Sequence, residues 1–190
     1  RIEDGRASAV QDYPDRCESL DLPPGTQITP AFVESHSHLG LVEVSLESQT
    51  VDTSSPESDP IHADFSILDA YNPASSLIPV TRLGGVGAAI VVPSGGIVTG
   101  QSAAFVLAGD TQSAALLKSP VALHIAWGST QSSRAHTLSR LRELFDDARF
   151  FRDHRADWNR NRLRTLSASH LDLEVLLSVI DGDLPLVVSA

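Results

Sequence analysis

The sequence predicts an α/β fold, and three observations carry that reading. Apolar runs of strand length recur at 28–33 (Ile-Thr-Pro-Ala-Phe-Val), 86–92, 121–126 and 186–189. Between them lie two segments, around 138–148 and 169–181, whose apolar residues fall at spacings of three and four. Buried strands alternating with amphipathic helices argue for a parallel sheet covered by helices. The 190 residues, 42% of them hydrophobic, suffice for one sizeable core.

Taken in order, residues 1–10 read as two short strands around Asp4-Gly5, a dipeptide that favours hairpins. Residues 11–25 are polar and close on Pro23-Pro24-Gly25, which is turn chemistry. The run 28–33 reads as a buried strand leading into Glu34-Ser35-His36-Ser37-His38. Residues 43–64 carry Ser, Thr, Asp, Glu and Pro with few apolar anchors, so a mobile excursion or lid is expected there. A weak helix over 73–83 precedes the second buried strand at 86–92. A glycine-rich loop follows from Ser94 to Gly100, then an apolar run at 103–107 and a third strand at 121–126.

The clearest helix places Leu138, Leu141, Leu144, Phe145 and Ala148 on one face, with Arg140, Arg142, Glu143, Asp146, Asp147 and Arg149 elsewhere. The charged stretch from Arg149 to Arg164 continues it as a solvated helix. A second helix aligns Leu173, Leu176, Leu177 and Ile180 and stops at Gly182. The last run, Leu184 to Ala190, reads as a buried parallel strand.

Charge narrows the partners. Fourteen basic against 24 acidic residues leave a net charge of −10, which argues against nucleic acid and anionic membranes as partners. No apolar run approaches the roughly 18 residues of a membrane span. The single cysteine, Cys17, excludes an internal disulfide and a cysteine-cluster metal site. Methionine is absent and the chain opens on Arg1, so the expectation is that this is a fragment. Its compartment, cytoplasmic or periplasmic, stays open because the deciding segment is not here.

The sharpest chemical signal is His36-Ser37-His38. In a strand, residues i and i+2 point to the same side, so both imidazoles can converge on one ion, and neutral imidazole suits zinc and its neighbours. Two surface histidines beside a turn is the plain alternative. His124, inside an apolar run, reads first as a satisfied core histidine and second as a ligand. His62, His136, His154 and His170 lie in polar surroundings and read as surface residues. Gly95 to Ser102 comes near a phosphate-binding loop, but Gln101 stands where lysine must reach the phosphates, leaving a structural turn or substrate-side loop. Lys118 lacks the buried context that would suit it for carbamylation.

The stretch from Gly25 through Glu34, His36 and His38 to Leu39-Gly40 resembles the first metal-binding strand of the amidohydrolase superfamily. Glu34 stands where that pattern commonly has Asp, and Ala31 where it has Gly. Tyr71-Asn72-Pro73, Arg82 to Val86, Val92 to Gln101 and Asp183 to Ala190 resemble an imidazolonepropionase-like subgroup. The resemblance implies a partial (β/α)8 barrel, of which a complete copy needs about 250 residues. Residues 1–27 would then be part of an N-terminal β-sandwich, and residues 28–190 the first half of the barrel. It further implies zinc, as one or two ions held in part by His36 and His38, and hydrolysis of a C–N bond by metal-activated water. The general-base aspartate would lie beyond Ala190, and a histidine would follow Ala190 directly. The implied partner is a small-molecule or peptide-like substrate, with self-association as a homo-oligomer left open. The alternative is a catalytically inactive fragment or binding module that lacks the remaining ligands.

Overall fold

The computed structural model describes residues 2–3, 6–7, 20–55, 59–128 and 133–189, in two units, Arg1–Pro30 and Ala31–Ala190. In the first unit, strands β1 (Ile2–Glu3) and β2 (Arg6–Ala7) pair antiparallel, as the Asp4-Gly5 signal predicts. The turn at Pro23 to Thr26 closes through the Thr26 N–H on the Pro23 carbonyl at 3.2 Å, with Gly25 at φ +87°. Cys17 lies outside the described residues.

The second unit is mixed α/β. Strand β3 (Phe32–Ser37) leads through a 3-10 turn (Ser48–Thr50) and helices α1 (Ile67–Ala70) and α2 (Leu77–Leu83) to β4 (Val86–Val91). Strands β5 (Val98–Gln101) and β6 (Ala103–Val106), helix α3 (Gln112–Ala115) and strand β7 (Leu116–Lys118) follow. Strand β8 (Leu123–Ala126), helices α4 (Arg134–Asp153), α5 (Arg155–Trp158) and α6 (His170–Ile180), and strand β9 (Leu186–Ser189) complete it.

Two sheets form, in the orders β3-β4-β6-β7 and β5-β8-β9. The sequence predicts a parallel sheet; the structure is mixed. β3 and β4, and β8 and β9, are parallel, and each of these pairs is joined through helices. The other pairs are antiparallel, and of these β6 and β7 are joined by a connection too short for a crossover. Ser102, fully buried, separates β5 from β6 where the chain passes from one sheet to the other.

Each sheet owns a core. Leu123, Ile125 and Val98 pack with Leu141, Leu144 and Phe151 of α4 and Leu173 and Leu176 of α6. Ala89, Val91 and Phe105 pack with Ile67, Tyr71 and Ile78. α4 is capped by Ser133, whose side chain accepts from the His136 N–H, and α6 by a reciprocal Ser169–Asp172 capping box.

Several expectations are corrected. The first strand begins at Phe32 rather than Ile28, because Pro30 lacks a donor and restricts the residue before it. β3 and β9 are exposed rather than buried, since each lies at a sheet edge with one partner strand. The described part of 43–64 is anchored and not free, with Glu43 and Ser45 beside His38 as the lid alternative has it. Val42 bridges Val51, the Asp52 N–H donates to Leu41, and Ile61 bridges Val98 within the core. The glycine loop ends in strand β5, and the helix through 149–164 stops at Asp153, with Asn161 at φ +54°. Among the described residues, no helix is long and apolar enough to cross a membrane.

Candidate metal centre

The end of β3 is shaped by two local hydrogen bonds. The His36 N–H donates to the Glu34 carboxylate at 3.1 Å, and the Leu39 N–H to Ser37 Oγ at 3.0 Å. A register irregularity between Glu34 and Ser37 lets the strand bend there. His36 lies within the strand and His38 one residue past its end, with ring centroids 6.2 Å apart. That separation puts both rings on one side of the C-terminal end of a strand paired in parallel with β4.

The turn behind His38 is fixed. The Leu41 N–H closes on the His38 carbonyl at 2.9 Å. Gly40, at φ +80°, packs so tightly under Tyr71 that an added Cβ would come within 2.6 Å of the ring. Tyr71 in turn stacks on Phe105 at 3.6 Å. The Leu39-Gly40 and Tyr71-Asn72 pairs singled out in the sequence therefore meet: the Asn72 N–H donates to the Gly40 carbonyl at 2.9 Å. A cavity of about 340 Å³ opens beside His38, lined by Ser37, Leu39, Val42, Glu43, Ser45 and Leu77. The Glu43 carboxylate accepts from the Ser76 N–H and hydroxyl, which anchors this rim to α2.

His124 reaches the same place from the other sheet. Leu123 and Ile125 face the helices, so alternation along β8 turns His124 to the opposite side. Its ring lies edge-on to that of His36, with centroids 6.5 Å apart. It is 5% exposed, and its Nε2 is buried with no hydrogen-bond partner. Burial, with a contribution from neighbouring His36, pulls the His124 pKa down to about 4. The same two causes lower that of His38. Both rings are therefore neutral at pH 7, the form that donates to a metal.

As they stand, no three His, Cys, Asp or Glu side chains among the described residues are placed to hold one ion. Imidazoles bonded to one zinc at tetrahedral angles have ring centroids about 5 Å apart, so each observed pair is open by about 1 Å. Imidazole is a donor that zinc takes, but the rings present are not gathered around one point.

The remaining histidines do not join them. His62 is buried, correcting the surface reading, because its N–H pairs with the Val98 carbonyl at 3.0 Å beside β5. His136 and His170 are exposed, and His154 stacks on Phe150. Lys118 sits exposed on β7. The glycine loop has a packing explanation. Cβ atoms at Gly96 and Gly100 would come within 2.8 Å and 2.5 Å of the Pro60 and Phe65 carbonyl oxygens. Gln101 donates to the Ala63 carbonyl at 2.9 Å, so the loop is a structural turn. Glu43 escaped sequence reasoning, since nothing in its spacing marked it.

No protein-family model matches this sequence, and neither does any curated protein. Among solved structures, an amidohydrolase from Thermotoga maritima MSB8 matches with a TM-score of 0.71 and 23% identity, covering 90% of this chain and 49% of that one. The chain thus spans about half the length of that neighbour and shares its α/β fold over that half.

Proposed function

We propose that this chain is the N-terminal half of a metal-dependent amidohydrolase barrel, of the imidazolonepropionase-like kind, hydrolysing an amide or cyclic amide C–N bond. The observation that carries the reading is the pairing of His36 and His38 at the C-terminal end of a parallel strand, which is where barrel enzymes place their chemistry. The shared fold with an amidohydrolase supports it.

The two histidines would hold the ion, and the turn through Gly40 and Tyr71 keeps their backbone from drifting. A bound divalent ion supplies Lewis acidity, lowering the pKa of a water and polarising a carbonyl. The cavity beside His38 gives a small amide room next to the imidazoles, with Leu39, Val42 and Leu77 as its apolar wall. The general base is expected beyond Ala190.

Metal analysis of the purified protein tests the reading. Bound divalent metal is expected, lost in the His36→Ala/His38→Ala double variant. Stoichiometric metal that survives the double change would contradict the site.

A further inference from the structure

We infer that a second cavity, at the start of strands β8 and β9, binds a small zwitterion of the class of a free amino acid with an aliphatic side chain. It shares no lining residue with the cavity beside His38, so the inference stands apart from the metal-site reading.

The cavity holds about 350 Å³, the size of a small-molecule site. Its walls are tied by backbone hydrogen bonds. Helix α6 ends on Gly182 at φ +84°, where the Asp183 and Leu184 N–H groups both donate to the Ser178 carbonyl, at 2.9 and 3.1 Å. The Leu123 N–H donates to the Pro185 carbonyl at 2.9 Å, and Gln101 at the end of β5 pairs with Leu123. Lys118 closes β7, opposite Ala104 of β6. The elements that meet at the cavity are therefore held in place before any ligand arrives.

Two side chains of opposite charge, Lys118 and Asp183, line this space, and neither is neutralised. Lys118 is the chain's only lysine, every other basic residue being an arginine. Among the described residues every ion pair uses an arginine, and neither Lys118 nor Asp183 enters one. Asp181, by contrast, is taken up by Arg152 at 3.1 Å. The rest of the lining is largely apolar, with Pro120, Val175, Leu184 and Pro185. A simple anion would meet Asp183 and a simple cation would meet Lys118, so like-charge repulsion disfavours both. A neutral apolar molecule would desolvate the two charges without pairing them. A carboxylate for Lys118, an ammonium for Asp183 and an aliphatic remainder for the prolines, Val175 and Leu184 satisfy all of these groups at once. Lysine suits the carboxylate end, since its ammonium is a compact charge on a flexible stem.

Selective ¹³C labelling of lysine tests the inference, because it yields the NMR signals of Lys118 alone. L-Leucine is titrated against the labelled chain beside isocaproate, which lacks its ammonium, and isoamylamine, which lacks its carboxylate. Leucine should move the Lys118 signals saturably, and each analogue should bind about two- to fivefold more weakly, the worth of one exposed ion pair. Asp183→Asn should weaken leucine by the same factor and leave isocaproate unchanged, a pattern that a merely structural role for Asp183 would not produce. Neither zinc nor the His36→Ala/His38→Ala change should alter these results, so a failure of the metal-site reading leaves this one untouched. Lys118 signals that leucine leaves unmoved or shifts without saturation would overturn the inference. So would either analogue binding as tightly as leucine, or leucine binding undiminished to Asp183→Asn.

Discussion

Asp147 is a charged residue at 2% exposure within a helix that otherwise buries only Thr137, Leu141, Leu144, Ala148 and Phe151. Burial opposes its ionisation, yet the Arg164 guanidinium and the Ser167 N–H, the latter at 2.7 Å, both donate to it and hold its pKa below the usual aspartate value. It is the tie between α4 and the irregular segment before α6. A carboxylate whose pKa is depressed on folding contributes stability above the unfolded-state pKa and loses it as pH falls through the folded one. The chain should therefore lose stability below about pH 4, and Asp147→Asn should flatten that loss. At neutral pH the same substitution should cost about 1–3 kcal/mol, read from urea unfolding. Nothing in the sequence marked Asp147 as different from Asp146, because the helical pattern shows which face a residue occupies but not what a distant arginine brings to it. His124 illustrates the same limit. Its alternation with Leu123 and Ile125 was legible, and the sheet it faces was not. The His36-Ser37-His38 spacing was legible, whereas the register irregularity beside it and the end of β3 before His38 were not.

At the scale of elements, the helices were the most readable parts, since α4 and α6 carry long apolar periodicity. The short pieces α1, α3 and β7 were not readable, because three or four residues hold no period. The switch of sheets at Ser102 was equally hidden, because β5 lies within and just past the stretch that reads as a glycine-rich loop. Those glycines make a direct test. Gly100, at φ +124°, has no room for a Cβ, whereas Gly182, at φ +84°, faces open space. Gly182→Ala should cost about 1 kcal/mol from backbone conformation alone, and Gly100→Ala should cost more, about 1–3 kcal/mol with displacement of Phe65. Equal melting temperatures for the two variants would contradict the packing described between β5 and residues 60–66. Within α4, Leu144→Ala should cost about 2–5 kcal/mol, since the side chain is 1% exposed among α6 and β8 residues.

For the whole molecule, the two sheets each end on an edge strand with apolar side chains in the open: Phe32 and Val33 on β3, and Leu186, Val187 and Val188 on β9. Exposed, unpaired strand edges of this kind template association. Sedimentation velocity of the 190-residue chain should show concentration-dependent self-association, reduced by Val33→Lys and Val188→Lys together. An α/β class was legible from alternation of element types, but the mixed strand directions were not, because direction follows from connection geometry. The proposed function places a metal at the C-terminal end of β3, on His36 and His38. The most direct measurement is a crystal structure of the zinc-soaked protein with anomalous data collected at the zinc edge. One strong anomalous peak is expected, within bonding distance of His36 and His38 nitrogens. No peak at these two residues would contradict the account.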